Sequence, residues 1–178
     1  MEARDGFESA FFAPRPSGVR ISGHTCAVEH DDVWDVGYII DIDERWRTLT
    51  AVAHGRSAAG ISETVIESAG DGRWQVDGRP APLLDGCLDV DLESSTCTNT
   101  LPTHRLSLKI GEAAEAPAVY VRAAGLAVER LDQSYRRIED RNGPRYNYAA
   151  PRFNVDVVLA FDRAGLLTDY PGLALRAH

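Results

Sequence analysis

The stretch that decides the fold is LDGCLDVDL, residues 84–92. Within it, Leu88, Val90 and Leu92 alternate with acidic residues, which is the period-two pattern of a β-strand with one apolar and one polar face. The pattern predicts a strand whose apolar side chains point into the core and whose carboxylates lie on the solvated face. The Asp-Gly pair near its start is typical of a turn.

The residues after this strand predict a polar connection followed by a short helix. Residues 98–100, Thr-Asn-Thr, carry hydroxyl and amide groups that bond nearby backbone and favour turns and helix N-caps. Pro102 suits the first turn of a helix, where no amide proton is needed. Leu106 and Ile110 lie four residues apart, so we expect them to form the buried side of that helix.

Length and composition favour one globular domain over residues 1–178. A chain of 178 residues can bury about 70% of its unfolded surface around one core. Hydrophobic residues make up 44% and charged residues 26%, as in ordinary soluble proteins. No apolar run approaches the ~20 residues that span a bilayer, and the first residues lack the basic and apolar regions of a signal peptide. We therefore expect a cytoplasmic protein without a transmembrane segment.

Charge and cysteine content exclude several classes of partner. The net charge of -8 and the pI of about 5.1 disfavour nucleic acid and anionic membranes, which attract basic surfaces. Cys26, Cys87 and Cys97 are an odd number without a C-x-x-C motif, which argues against a disulfide framework and a zinc ribbon. Cys87 and Cys97 could pair only in an exported protein.

The rest of the chain consists mostly of short strand-like segments separated by turn signals. Residues 153–161 show the clearest alternation, Asp77-Gly78 is a dipeptide favoured in two-residue hairpins, and a turn is expected over residues 30–32. Residues 126–140 are ambiguous, because their apolar residues fit both helical spacing and strand alternation. Many short strands at close spacing indicate a sheet that curls or closes.

An ordered set of short motifs resembles the putative glycolipid-binding family, a bacterial family of unknown function. The motifs are residues 84–92, Thr98-Asn99-Thr100-Leu101-Pro102, Asp43-x-x-Trp46-Arg47-Thr48, Gly72-Arg73-Trp74, Val119-Tyr120, Gln133-x-Tyr135, Tyr146-x-Tyr148, Asp162-x-x-Gly165-Leu166 and Asp169-Tyr170-Pro171-Gly172. The resemblance covers nearly the whole chain. It implies a mainly β fold, a single-domain spiral β-roll in which a curled antiparallel sheet of many short strands wraps around one helix. It also implies a homodimer similar to the bacterial lipoprotein carriers, and it places strands in residues 126–140.

The acidic residues of the central stretch could suggest a metal site. Asp85, Asp89 and Asp91 are the ligand type that hard cations prefer. Their spacing, however, lacks the alternating oxygen ligands and central glycine of a calcium loop. We therefore expect no metal and no cofactor.

No catalytic motif stands out in the sequence. The five histidines are scattered, and neither a Gly-x-Ser-x-Gly elbow nor a phosphate-binding loop is present. An enzyme, a hydrolase or isomerase acting on a sugar-linked or lipid substrate, would need at least two of Asp85, Asp89 and His104 to converge in one pocket. The sequence favours a binding protein over such an enzyme.

Hydroxyl, amide, guanidinium and aromatic groups are the types that bind sugars and anionic head groups. The candidate ligand-binding residues are Asn99, Thr100, Arg105, Tyr135, Arg145 and Tyr148. The structural alternatives are a helix cap for residues 98–100 and surface ion pairs for the arginines. Trp34, Trp46 and Trp74 are expected in the core or at its rim, with ligand stacking as the alternative.

These observations lead to one functional hypothesis. A curled sheet too large to fill its interior with side chains leaves a concave apolar surface. We therefore expect a protein without catalytic activity that holds a lipid or glycolipid, with the tail in the hollow and the head group near Arg105, Asn99 and the tyrosines. The remaining alternative is a structural dimer whose hollow is only its core or its interface.

Overall fold

The computed structural model describes residues 4–29 and 31–177. The predictions for the first three residues, and the first position of the turn expected over residues 30–32, lie outside the described residues. The strands are β1 (Asp5–Arg15), β2 (Gly18–Glu29), β3 (Asp32–Asp43), β4 (Thr48–Ser57), β5 (Gly60–Ser68), β6 (Trp74–Val76), β7 (Arg79–Pro80), β8 (Asp89–Leu92), β9 (Ala113–Glu115), β10 (Ala118–Val121), β11 (Val128–Leu131), β12 (Ser134–Ile138), β13 (Arg145–Ala150), β14 (Val155–Phe161), β15 (Leu167–Tyr170) and β16 (Ala174–Leu175). The α-helix is α1 (Thr100–Leu106), and short 3₁₀ turns cover Pro82–Leu84, Thr96–Asn99 and Pro151–Phe153.

The strands form three sheets. The first is a seven-stranded antiparallel meander from β1 to β7, in chain order. The second has the order β11-β10-β8, and its β8–β10 pair is parallel. The third has the order β16-β15-β14-β13-β12-β9 and is antiparallel throughout. The Asp77-Gly78 turn joins β6 to β7 with a positive φ at both residues, which is the geometry that this dipeptide favours.

Hydrophobic side chains collect in two clusters. The first lies on the inner face of the meander and includes Ile21, Val36 and Ile40. The second is rich in aromatic residues from the third sheet, among them Tyr135 and Tyr146. The helix α1 reaches both clusters, because its Leu101 belongs to the first and its Leu106 packs against the second. The described interior is therefore filled by side chains and the helix.

The predicted fold class is confirmed: over the described residues the protein is mainly β, with several sheets and one short α-helix. Residues 126–140 form strands, as the family resemblance implied, since β11 and β12 lie there and pair with neighbouring strands. The strand expected over residues 153–161 begins two residues late because Pro151–Phe153 forms a 3₁₀ turn. The assignment of all 178 residues to a single domain stays a prediction.

Two local predictions from the central stretch were wrong. The carboxylates of β8 are not solvated, since Asp89 is 0% and Asp91 7% exposed. The polar face of β8 is buried because α1 and the connection before it cover that face. Ile110 is 60% exposed and lies beyond the helix, which ends at Leu106, and the fully buried helix side chain is Leu101 instead.

The three tryptophans pack against other protein side chains. Trp34 and Trp74 are buried in the first cluster, which confirms their core placement. Trp46 is half-buried and stacks on the His104 ring, with 3.8 Å between ring centroids.

All three cysteines are free thiols. The disulfide bond considered between Cys87 and Cys97 is therefore absent from the described residues.

Candidate functional site

A layer of buried polar side chains separates the two hydrophobic clusters. On β8, Val90 and Leu92 point into the first cluster, so Asp89 and Asp91 point the opposite way, toward the second. The connection that follows and α1 add further buried polar groups. We call this set the polar layer, and it comprises Asp89, Asp91, Ser95, Thr98, Asn99, Thr100, Thr103 and Gln133.

The guanidinium of Arg105 forms an ion pair with Asp89 inside the protein. Its Nε and one terminal nitrogen donate to the two carboxylate oxygens of Asp89, at 3.0 and 2.5 Å. The Asp89 side chain is 1% exposed and that of Arg105 is 14% exposed, so the expected surface ion pair is in fact a buried one. The pair fixes α1 against β8, and the predicted role of Arg105 at a head group has to compete with this contact.

Residues 98–100 do not cap the helix with their side chains, so that interpretation was wrong. Asn99 has helical backbone angles, and its side-chain oxygen accepts a hydrogen bond from the Tyr135 hydroxyl at 2.9 Å. Thr100 Oγ1 accepts a bond from the Leu167 amide at 3.3 Å. These side chains therefore link the helix to the third sheet, since bonds to distant residues have replaced local capping bonds.

A cleft of about 300 Å³ opens at the polar layer, and we call it the tyrosine cleft. Its lining residues come from all three sheets and from the connection before α1. They are Arg4, Glu29, Asp91, Leu92, Glu93, Ser95, Thr96, Asn99, Tyr120, Leu131, Tyr148, Ala150, Phe153, Asn154, Val155, Tyr170 and Leu173. The cleft thus brings together two of the predicted ligand-binding residues, Asn99 and Tyr148.

Asp91 is the buried acid of the tyrosine cleft. Thr98 Oγ1 lies 2.9 Å from its Oδ1, and no other side-chain hydrogen bond reaches this carboxylate from the described residues. Burial raises the pKa of Asp91 to about 6, and the charges of Asp89 and Glu93 act in the same direction. Its second oxygen is available to a ligand in the cleft.

Three phenols surround this carboxylate. Burial first, and then the charge of Asp91, raises the pKa of Tyr148 and of Tyr170 above the ordinary value of 10.0. The pKa of Tyr120 is raised as well, by burial and next by the charge of Glu93. All three phenols stay protonated at neutral pH, and the Tyr148 hydroxyl donates to the side-chain oxygen of Gln133 at 2.8 Å.

A second cleft of about 500 Å³ adjoins the first, and we call it the edge cleft. It lies between β1, the edge strand of the meander, and β15–β16, the edge of the third sheet. Most of its lining is apolar, and its residues are Gly6, Phe7, Glu8, Ala10, Phe12, Thr96, Cys97, Thr100, Leu166, Leu167, Thr168, Leu173, Ala174, Leu175, Arg176 and Ala177. Thr96 and Leu173 line both clefts, so the two clefts share a border at these residues.

A hydrogen-bonded group holds β1 against the connection between the clefts. The Glu8 carboxylate accepts a bond from the Tyr38 hydroxyl at 2.7 Å and another from Ser95. The Cys97 sulfur lies 3.2 Å from the Tyr38 oxygen. Burial raises the pKa of Cys97 to about 12, so its thiol stays protonated and is a poor nucleophile.

The remaining predicted residues lie away from the tyrosine cleft. Thr100 lines the edge cleft, Tyr135 is buried beneath Asn99, and Arg145 is half-buried on β13 and lines neither cleft. Of the three acid–base candidates, Asp89 is held by the helix, whereas Asp85 lies in a turn.

His104 lines a separate cavity of about 240 Å³ that includes neither aspartate. The convergence that the enzyme hypothesis required is therefore absent from the described residues.

Sequence reasoning missed most of the tyrosine cleft. Tyr120 and Tyr170 lie in motifs of the family resemblance, which is the one signal that pointed to them. Asp91 was predicted to lie on the solvated face of its strand, but its side chain is buried. Arg4 and Glu29 carry no local signal, because they reach the cleft only through the pairing of β1 with β2.

Comparison with known proteins identifies relatives of this chain. A family model described as "Putative glycolipid-binding" matches residues 1–176. The crystal structure of a DUF1089 family protein from Pseudomonas aeruginosa matches with a TM-score of 0.86 and 30% sequence identity, over 97% of this chain and 92% of that chain. No curated protein matches. Among the described residues, no helix has the length and apolar character needed to cross a membrane.

Proposed function

Since the chain belongs to the putative glycolipid-binding family, we propose that it binds a lipid with a sugar head group and does not act on it chemically. The sugar occupies the tyrosine cleft, and the apolar chain occupies the edge cleft. The observation that carries this proposal is the junction of the two clefts at Thr96 and Leu173. An amphiphile needs such a pair of adjoining spaces, one rich in polar partners and one lined by apolar side chains.

The tyrosine cleft offers what a sugar ring needs. Aromatic side chains that combine an apolar ring with a polar tip suit sugars, and Tyr120, Tyr148 and Tyr170 line the cleft, although each is at most 7% exposed. The second oxygen of the Asp91 carboxylate supplies an acceptor for hydroxyl groups, whereas the Asn99 amide is already bonded to Tyr135 and to the Thr96 carbonyl oxygen. Because these groups are largely held by the polar layer, little ordering is required when a ligand enters.

The edge cleft supplies the apolar surface. Phe12, Leu167 and Leu173 line it, and its volume of about 500 Å³ falls within the range of roughly 300 to 1,000 Å³ that is usual for ligand pockets. Phe7 and Leu175 at its rim are 69% and 79% exposed. This placement differs from the sequence hypothesis, which put the tail inside the rolled sheet, because that interior is packed with side chains and α1.

The assembly and location expected from the resemblance belong to the same proposal: a homodimer in the bacterial cytoplasm. The apolar edge strand β1 is a surface through which two copies could pair. Sedimentation equilibrium of the purified chain tests the dimer. A monomer at all accessible concentrations would remove that part of the proposal and leave the binding site unaffected.

Ligand binding is tested by native mass spectrometry of the protein purified gently from a bacterial source, followed by lipid extraction. We expect a stoichiometric glycolipid on the unmodified chain. Leu173→Trp should abolish its retention, because the larger ring closes the junction of the two clefts.

Leu83→Trp is the matched control, since Leu83 is 85% exposed and lines neither cleft. An unmodified chain that stays empty after incubation with native lipid extract would refute the proposal, as would a ligand that Leu173→Trp still retains.

A further inference from the structure

The charges of the tyrosine cleft restrict the head group that it can accept. Three carboxylates line the cleft, those of Glu29, Asp91 and Glu93, and the one cation of its lining is Arg4. The two terminal nitrogens of that guanidinium are engaged, because one lies 3.1 Å from Glu29 Oε2 and the other donates to the Glu93 carbonyl oxygen at 2.6 Å, whereas its buried Nε has no partner among the described residues. Glu93 is paired as well, with Arg122 outside the lining at 3.3 Å. Among the described residues, Asp91 is therefore the carboxylate of this cleft that no cation neutralises, and a phosphate or sulfate entering the cleft would meet its negative charge.

The burial of Asp91 adds a second restriction. Asp91 lines the cleft and is only 7% exposed. Among the described residues, its carboxylate accepts a side-chain hydrogen bond from Thr98 at Oδ1 alone. A carboxylate in this position is an acceptor for ligand donors, and hydrogen bonds to an ionised group are about twice as strong as neutral ones. Against an anion, the same carboxylate is repulsive, and burial weakens the screening of that repulsion by water.

We infer that the head group is an uncharged polyol of the neutral-sugar class and that Asp91 determines this specificity by accepting its hydroxyl groups and excluding anionic head groups. This inference rests on the proposed function, whose ligand class it narrows. The phenols of Tyr120 and Tyr170 are consistent with it, because a protonated phenol can donate to a sugar oxygen, whereas the Tyr148 hydroxyl already donates to Gln133. The ligand therefore belongs with neutral glycosyl lipids and not with phospholipids or sulfolipids.

The experiment compares two probes with the same alkyl chain, octyl glucoside and octyl phosphate, each kept below its micelle concentration. Isothermal titration calorimetry with the full chain measures both affinities at neutral pH. We expect octyl glucoside to bind at least tenfold more tightly than octyl phosphate. Asp91→Asn should weaken octyl glucoside by roughly tenfold, the loss of a charge-assisted hydrogen bond, and should reduce the discrimination against octyl phosphate. Asp132→Asn is the matched control, because that carboxylate is 78% exposed and lies outside both clefts.

The possible outcomes separate this inference from the proposed function. Equal or tighter binding of octyl phosphate to the unmodified chain would overturn the neutral head group while leaving a lipid-binding protein. Binding of neither probe would overturn the proposed function and the inference together. Free glucose binding as tightly as octyl glucoside would support the neutral-sugar class and refute the need for a lipid tail. Unchanged discrimination in Asp91→Asn would overturn the role of Asp91.

Discussion

Replacing Asp91 by Asn should stabilise the ligand-free protein at neutral pH. The pKa of this carboxyl is raised from the ordinary 3.8 to about 6, first by burial and then by the neighbouring acidic charges. Each pKa unit corresponds to about 1.4 kcal/mol, so a shift of roughly two units means that ionised Asp91 costs the folded state about 3 kcal/mol. An asparagine cannot ionise and avoids this cost, although rearranging the contact with Thr98 offsets about 1 kcal/mol of the gain.

The sign of the pH dependence follows from the direction of the shift. Since the folded protein holds the Asp91 proton more tightly than the unfolded chain does, this group contributes stability that is fully present below about pH 4 and is lost as the pH rises through about 6. Above that pH, both states are ionised and the cost is constant. The two proteins should therefore be closest in stability near pH 4, and Asp91→Asn should be the more stable by roughly 2 kcal/mol near pH 8.

Urea denaturation at several pH values between about 4 and 8 measures the free energy of unfolding of both proteins. Asp132→Asn serves as the control for an exposed carboxylate. If the difference between wild type and Asp91→Asn stays constant across this range, Asp91 titrates alike in folded and unfolded protein and the burial argument is refuted. If Asp91→Asn is more stable than the wild type but binds octyl glucoside more weakly, the buried charge of Asp91 lowers stability and serves ligand binding.

Two further pairs of variants test the packing around the site by urea denaturation. Arg105→Ala should cost roughly 3 to 5 kcal/mol because it leaves the buried Asp89 carboxylate unpaired, whereas Arg20→Ala, which removes a partly exposed ion pair, should cost far less. Gly165 and Gly172 both have a φ of +77°. A Cβ added at Gly165 would lie 2.5 Å from Nε2 of His104, whereas a Cβ added at Gly172 would meet nothing within 4 Å. Gly172→Ala should therefore lower the free energy of unfolding by about 1–2 kcal/mol, the cost of placing alanine in a left-handed backbone conformation. Gly165→Ala should lower it by about 1–3 kcal/mol more, because the added methyl group would clash with the ring. Equal costs within either pair would contradict the assigned contacts.

Much of the fold follows from sequence patterns alone. The Asp77-Gly78 dipeptide predicted the turn between β6 and β7, and alternation predicted most of β14, because that strand has one face in the core. The short helix was predicted from Pro102 and the polar residues before it. The pattern in residues 126–140 fitted a helix equally well, since two short strands separated by a turn can reproduce helical spacing by coincidence. Only the family resemblance resolved it.

The placement of Asp89 and Asp91 could not be predicted in the same way. An alternating strand shows that its two faces differ, but it does not show whether the polar face meets water. Here the polar face meets Arg105, sixteen positions further along the chain than Asp89, and that contact exists only once α1 has packed against β8. The same holds for Asn99, whose side-chain oxygen is taken by Tyr135 from a strand that local capping rules do not consider.

The polar layer gives the proposed binding function a second structural argument. Two hydrophobic clusters could have been joined by apolar side chains, which would remove the cost of burying groups such as the Asp89–Arg105 pair. The protein instead keeps buried carboxylates, hydroxyls and amides between the clusters, and their hydrogen bonds fix the connection that forms the floor of the tyrosine cleft. Asp91 is the member of this layer that opens to the cleft and, among residues 4–29 and 31–177, has no cationic partner. A buried charge without a counter-ion is costly unless something outside the protein uses it, and hydroxyl groups of a neutral sugar would supply the missing donors.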